Sequence, residues 1–211
     1  MNGTNRRKSS TMSTGWTANW GQFYSFTKDS PPWPLLTQAA ALAPRGGQAL
    51  DLGAGAGRDT RYLLEQGFQV TAVDAEPHSV ALLATLPQDH LLVAQSTFEN
   101  FAFAFATYDL ISAQFALPFM PKDRFTTVFV RLKAALVPGG VFAGQFFGVH
   151  DEWNNPERAH AMTFLTRAEA EELLSDLEVI ELTEEDADGH KADGSPKHWH
   201  VFHILARRPS P

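Results

Sequence analysis

The chain has 211 residues, 44% of them apolar, which is ample for one sizeable core and ordinary for a soluble globular domain. A formal charge of -7 works against attraction to a polyanion, which clustered Lys and Arg would supply, so nucleic acid is not an expected partner. The absence of cysteine excludes a disulfide framework, thiolate metal ligands and a cysteine nucleophile.

Residues 1–14 are polar and aperiodic and read as a disordered tail, leaving residues 15–211 as one domain. The basic residues Arg6, Arg7 and Lys8 have no apolar stretch behind them to make a signal peptide. No apolar run anywhere is long enough to span a bilayer, so no membrane partner is expected and the expected location is cytoplasmic. Trp16, Trp20, Phe23 and Tyr24 then recur at helical spacing and give a short helix one aromatic face. The stretch SPPWP starts a second helix in which Leu35, Leu36, Ala39 and Leu42 point inward, until Pro44 and two glycines end it.

From residue 48 the pattern alternates. Residues 48–52 read as a strand, 58–66 as a helix closed by Gly67, and 69–73 as a second strand ending at Asp74, which together make a βαβ unit. Pro77 suits the first turn of the next helix, through about residue 86, and residues 91–95 form a strand followed by a long Phe-rich loop. Strand 108–113 precedes a helix opened by Pro121. Its Phe125, Val128, Phe129, Leu132 and Leu136 share one face until Pro138, Gly139 and Gly140 stop it, and strand 141–147 follows. Thr166 and Glu169 have capping-box spacing at the start of a further helix. Two last strands, 179–183 and 199–206, flank a loop containing Asp188, Gly189, Gly194, Ser195 and Pro196, which suits a long hairpin. Strands alternating with helices predict an α/β, doubly wound, mainly parallel sheet with ligands beyond the carboxyl ends of its strands.

The stretch ALDLGAGAGRDT carries the clearest binding signal. Gly53, Gly55 and Gly57 stand at alternate positions right after the first strand, and each costs roughly 0.5–1 kcal/mol relative to alanine, so close approach or positive φ is expected there. The dinucleotide fingerprint G-x-G-x-x-G would need glycine where Arg58 stands, which makes an NAD-dependent oxidoreductase the alternative reading. Asp51, the three glycines and a second acid, Asp74, ending the next strand resemble the first two motifs of class I S-adenosylmethionine-dependent methyltransferases. The resemblance runs from about residue 16 to 208 and implies a seven-stranded Rossmann-like sheet with an antiparallel C-terminal hairpin.

It also implies S-adenosyl-L-methionine as cofactor, lying against Asp51, Gly53, Ala54, Gly55, Gly57 and Arg58, with its ribose on Asp74 and Ala75. Thr97 and Phe98 would bracket adenine, although the acid often found near that position is missing. Gln114, after the fourth strand, would face the reacting centre, and the amino-terminal aromatic helix would cover the cofactor if it is not simply core. Asp51 has a structural alternative, bracing the glycine turn. The residues after the fourth strand lack the motif of adenine or glutamine amino methylation, so a small-molecule acceptor, a thiol, chalcogen oxyanion or similar nucleophile, is expected. A sensor domain that binds the cofactor without turnover is the third reading.

The segments FFGVHDEWNN and GSPKHWHVFHILARR resemble the small bacterial tellurite-resistance and thiopurine-type enzymes. By position in that family, Asp151, His198 and His200 would border the acceptor and form the catalytic set. His198 and His200 lie two apart on a strand and so share a face, where they could accept a proton, bind an anion, chelate a metal or serve structure. No third ligand is apparent, and no metal is expected. His203 falls on the opposite face and reads as structural. His190 and Lys191 stand where the family carries a histidine–basic pair, but the surrounding loop departs from the family and they are left out of the catalytic set.

Overall fold

A computed structural model describes residues 20–210, apart from the side chain of Gln22. The expected tail, residues 1–14, and Trp16 lie outside the described residues. The elements are α1 (Trp20–Thr27), α2 (Pro34–Leu42), β1 (Gln48–Leu52), α3 (Arg58–Glu65), β2 (Gln69–Asp74), α4 (Pro77–Leu83) and β3 (Leu91–Gln95). After these come β4 (Tyr108–Ala113), α5 (Lys122–Ala135), β5 (Leu136–Gly148), β6 (Phe164–Leu165), α6 (Arg167–Leu173), β7 (Glu178–His190) and β8 (Pro196–Arg207).

The strands form one sheet in the order β3-β2-β1-β4-β5-β8-β7, with β6 added beside β5. Pairings from β3 to β5 are parallel, whereas β8 runs antiparallel to both β5 and β7. This is the expected α/β, doubly wound, mainly parallel sheet with an antiparallel C-terminal hairpin. The short β6 escaped the sequence reading because two residues carry no periodicity.

Side-chain alternation builds a core on each face of the sheet. Leu50, Phe142, Phe146, Phe202 and Ile204 face one way and meet Phe125, Phe129 and Leu132 of α5. Ala49, Val141, Ala143 and Leu205 face the other way and meet Leu35, Leu36 and Ala39 of α2 and Leu63 of α3. The aromatic rings of Phe129 pack edge-on against Phe142 and Phe146 at 5.4 and 5.3 Å, the arrangement ring quadrupoles prefer. The expected capping box closes on α6, with Thr166 accepting from the Glu169 amide and Glu169 accepting from the Thr166 amide.

The hairpin differs most from expectation. β7 and β8 reach residue 190 and start at residue 196, so Asp188 and Gly189 lie in a strand and the turn is confined to 191–195. Acidic and glycine residues read as loop in sequence because strands disfavour them, but here cross-strand histidines partner the acids. Helix α4 is also one turn shorter than expected. Leu86 lies beyond its end and packs with Leu83 against Gly57. Among the described residues no helix is long and apolar enough to cross a membrane.

Candidate active site

Strand β1 has β2 on one side and β4 on the other, and the chain leaves it in both directions, which opens a crevice beyond the carboxyl ends. A cleft of about 1040 Å³ occupies this place. The loops after β1, β2, β3 and β4 supply its floor, α1 lies across it, and β8 with Trp153 and Arg158 forms the far wall.

The glycine loop follows from three positive φ angles, 74° at Gly53, 55° at Gly55 and 79° at Gly57. In each case what crowds the missing Cβ is protein. A Cβ on Gly53 would stand 2.5 Å from that of Ala116, one on Gly55 3.3 Å from the Tyr24 ring, and one on Gly57 3.0 Å from Leu86. The glycines therefore let β4's loop, α1 and the end of α4 close around a single turn of chain, and the amides of Gly53 and Ala54 bond back to the Val73 carbonyl.

Asp74 fastens this turn from the next strand. Its two carboxylate oxygens accept the Gly55 amide at 2.8 Å and the Glu76 amide at 2.9 Å, and Ser79 Oγ donates to the Gly55 carbonyl at 2.6 Å. Each oxygen keeps a further lone-pair direction for a hydroxyl donor from the cleft. Gly53, Ala54, Gly55, Arg58, Asp74 and Ala75 all line the cleft, as do Thr97, Phe98 and Gln114.

Asp51 and Gly57, expected at the cofactor, do not line it. Asp51 lies under the loop, where it accepts a hydrogen bond from Thr60 Oγ1 at 2.6 Å and so ties β1 to α3. Burial, with Asp59 next in effect, pushes its carboxyl up to about 7. Arg58 does reach the cleft, and it has partners already: Asp59 at 3.5 Å and the face of Trp33 at 4.4 Å.

Gln114 is buried and takes part in a polar relay. Its Nε2 donates to the Ala143 carbonyl at 3.1 Å, its Oε1 accepts from Gln145 Nε2 at 2.9 Å, and Gln145 Oε1 accepts the Phe115 amide at 2.8 Å. The relay holds Phe115 at a φ of 49°, a left-handed conformation unusual for a ring-bearing residue and found at binding sites. Gln145 is invisible in sequence as a site residue, because nothing in a buried apolar strand announces which polar side chain will meet which.

The expected catalytic residues sit elsewhere. Asp151, His198 and His200 do not line the cleft, and for the two histidines the reason is strand parity. On β8 the cleft wall is Trp199, Val201 and His203, so His198 and His200 turn to the opposite face and His203, read as structural, is the histidine that borders the cavity. Asp151 is enclosed in an ion pair, both of its oxygens 2.6 Å from Lys197 Nζ, with both side chains fully buried.

His198 bridges Asp186 and Asp188 at 2.9 and 2.8 Å, and these two acids hold its pKa above the ordinary histidine range. His200 bonds Glu184 through Nε2 at 2.9 Å and accepts the His150 amide on Nδ1 at 3.0 Å. His150 in turn meets Asp186 at 2.9 Å. Atoms of His150, Asp186 and His200 lie within 4.8 Å of one another, so the group that could hold a cation joins His200 to β7 and residue 150 and leaves His198 out. Both ring nitrogens of His200 and Nδ1 of His150 are engaged by hydrogen bonds, and the Nδ1 that accepts an amide leaves the proton of neutral His200 on Nε2, facing Glu184.

The far half of the cleft is aromatic: Trp20, Phe115, Phe119, Phe147, Trp153 and Trp199 surround it. Their centroids lie 5.2 to 6.2 Å apart, from Trp20 against Phe119 to Phe147 against Trp199. His203, joined to Glu185 at 3.2 Å, and the pair His190 and Lys191 complete the mouth.

Residues 49–140 match the family described as "Methyltransferase domain". A curated relative, an uncharacterized methyltransferase of Synechocystis sp., is 30% identical over 109 residues, which cover 52% of this chain and 50% of the relative. The chain thus spans about half the length of the curated relative it matches. Among solved structures, TehB from Haemophilus influenzae superposes with a TM-score of 0.68 at 21% identity, over 82% of this chain and 61% of that one. The 1,6-didemethyltoxoflavin-N1-methyltransferase of Burkholderia thailandensis, bound to 1,6-didemethyltoxoflavin and S-adenosylhomocysteine, gives 0.63 at 22% identity over 93% of each chain. Sheet order, glycine turn and family match agree: residues 49–140 match a methyltransferase domain, and the whole described chain shares the fold of these solved methyltransferases.

Proposed function

We propose that the cleft binds S-adenosyl-L-methionine in its glycine-loop half and transfers the methyl group to a small-molecule nucleophile in its aromatic half. The observation that carries this reading is the joining of the two halves in one cavity. Gly53, Gly55 and Asp74 lie at one end, Trp153, Trp199 and His203 at the other, and Phe115 with Gln114 stand between.

The residues present fit the cofactor. The amides and positive end of α3 favour a carboxylate near Arg58, Asp74 retains acceptor capacity for ribose hydroxyls, and Thr97 and Phe98 offer a hydroxyl and a ring edge for a base. Bound there, the cofactor supplies a sulfonium-activated methyl group. The chain's own contribution is mainly positioning, which in favourable cases accounts for roughly 7–11 kcal/mol of a barrier.

Of the titratable groups in the acceptor wall, His203 is the one assigned the proton. With Nε2–H donated to Glu185, its Nδ1 carries the lone pair that can take a proton from the attacking atom. The acceptor's electron pair forms the new bond to carbon while the old carbon–sulfur pair returns to sulfur. A thiol or chalcogen oxyanion remains within this reading, and the cytoplasm remains the proposed location.

Calorimetric titration with S-adenosylhomocysteine and with NAD tests the cofactor half: binding of the first and not the second is expected, and the reverse would make the chain an oxidoreductase. Release of S-adenosylhomocysteine across a panel of thiols, selenite, tellurite and carboxylates tests the transfer. Tight cofactor binding with no turnover on any of them would favour a sensor.

A further inference from the structure

The aromatic half of the cleft has cations behind and beside its rings. Lys197 does not reach the cavity, yet its ammonium lies 3.6 Å from the Trp199 ring centroid, 4.4 Å from that of Trp153 and 5.6 Å from that of Phe147. All three rings line the cleft. Arg158, which does line it, places its guanidinium 5.5 Å from the Trp153 centroid.

An aromatic ring attracts a cation through the negative charge of its π face, and such rings in a wet cleft usually mark a site for cationic ligands. In this wall that capacity is already used. A cation held against Trp199 draws π density toward itself and repels any second cation placed on the cavity side of the same ring, with little water between to screen the two. Asp151, both of whose oxygens lie 2.6 Å from the ammonium, offsets much of this field, so what acts on the rings is the ammonium end of an ion pair packed against them. Burial lowers the Lys197 pKa below its ordinary value, and the hydrogen bonds and charge of Asp151 oppose that shift.

We propose that Lys197 is a specificity-determining residue: by occupying the backs of Trp199, Trp153 and Phe147 it makes the acceptor half select planar rings that are neutral or anionic and reject cationic ones. The proposal rests on the methyl-transfer reading of the cleft, and it narrows the acceptor class to flat, electron-rich molecules. The rim does not decide this, for Glu185 and Asp193 stand there beside His190 and Lys191.

The test uses three probes of one outline and different charge, naphthalene-2-carboxylate, quinoline and N-methylquinolinium, titrated calorimetrically into the protein saturated with S-adenosylhomocysteine, whose sulfur is uncharged. The carboxylate and the neutral ring should bind about tenfold or more tighter than the cation. The double variant Lys197→Met with Asp151→Asn removes both buried charges, so no lone ion is left in the core, and should narrow that ratio to about threefold or less. Equal or tighter binding of N-methylquinolinium by the parent overturns the proposal, and this ranking needs no variant to fold. An unchanged ratio in a folded double variant overturns it too, as does binding of none of the three up to millimolar concentration while S-adenosylhomocysteine still titrates. Failure of S-adenosylhomocysteine itself to bind is a different result, which removes the methyltransferase reading instead.

Discussion

Asp51 and Asp74 lie near the ends of neighbouring strands, and their partners give them different work. Asp74 accepts two amides of the loops it joins, while Asp51 is sealed beneath the turn with Thr60. A carboxyl pushed up to about 7 by burial contributes stability that is fully present in acid and is lost as pH rises through 7. Asp51→Asn keeps an oxygen for the Thr60 hydroxyl and has no charge to bury. The variant should therefore gain on the parent as pH rises from about 5 to 8, by on the order of a few kcal/mol, in paired urea-unfolding curves. A gap independent of pH would show that Asp51 ionises freely in the fold. Gly53→Ala should do the opposite at every pH: φ of 74° and a 2.5 Å approach to Ala116 predict a loss of about 1–3 kcal/mol together with weaker S-adenosylhomocysteine binding. The glycines were legible in sequence because their spacing has no cheaper explanation. The face of His203 is not legible there, because strand parity cannot say which face meets a cavity when both faces are covered. His203→Gln should lower turnover of an accepted substrate more than His198→Gln does, with little change in S-adenosylhomocysteine affinity, and the reverse order would return the catalytic role to the outer face.

At the scale of elements, helices read well wherever the core dictates them. The stripe Phe125, Val128, Phe129 and Leu132 of α5 is buried as spaced, and truncating Phe129 to Ala should cost about 3–5 kcal/mol of unfolding free energy, since its ring fills the space between Phe142 and Phe146. The hairpin of β7 and β8 looks shorter in sequence than it is because its outer face is held by charge rather than apolar burial. Cross-strand pairing sets Asp186 opposite His200 and Asp188 opposite His198, and His198 donates to both acids. A histidine with a raised pKa contributes stability that is complete below its unfolded value and lost as pH climbs through the folded one. Amide exchange at residues 186–200 should then quicken above neutral pH relative to the rest of the sheet, and His198→Gln should remove that difference. Exchange at these residues that keeps the same ratio to the rest of the sheet at pH 6 and 8 in the parent would mean the ladder carries no proton-linked stability.

At the scale of the molecule, one short helix closes the space that the sheet opens. Tyr24 of α1 lies over Gly55, and burial, with Asp74 and Glu76 adding to it, raises its pKa; four residues earlier Trp20 meets Phe119 at 5.2 Å. Helix α1 thus touches the cofactor half with one ring and the acceptor half with another, and a ligand seated on the glycine loop lies beneath it. Sequence supplied the aromatic spacing of this helix but not its place, because a ring stripe packs equally well on a core or over a cleft. A ligand that binds only the folded state at a hundredfold excess over its Kd adds about 2.7 kcal/mol, which in a chain of this size raises Tm by roughly 5–10 °C. S-adenosylhomocysteine should produce that shift and should protect the amides of α1 from exchange more than those of α5, which is already locked into the core. Protection of both helices by equal factors would show global stabilisation with no closure of α1 over the ligand. An unchanged Tm at millimolar S-adenosylhomocysteine would mean that the cleft, however well formed, does not hold the nucleoside.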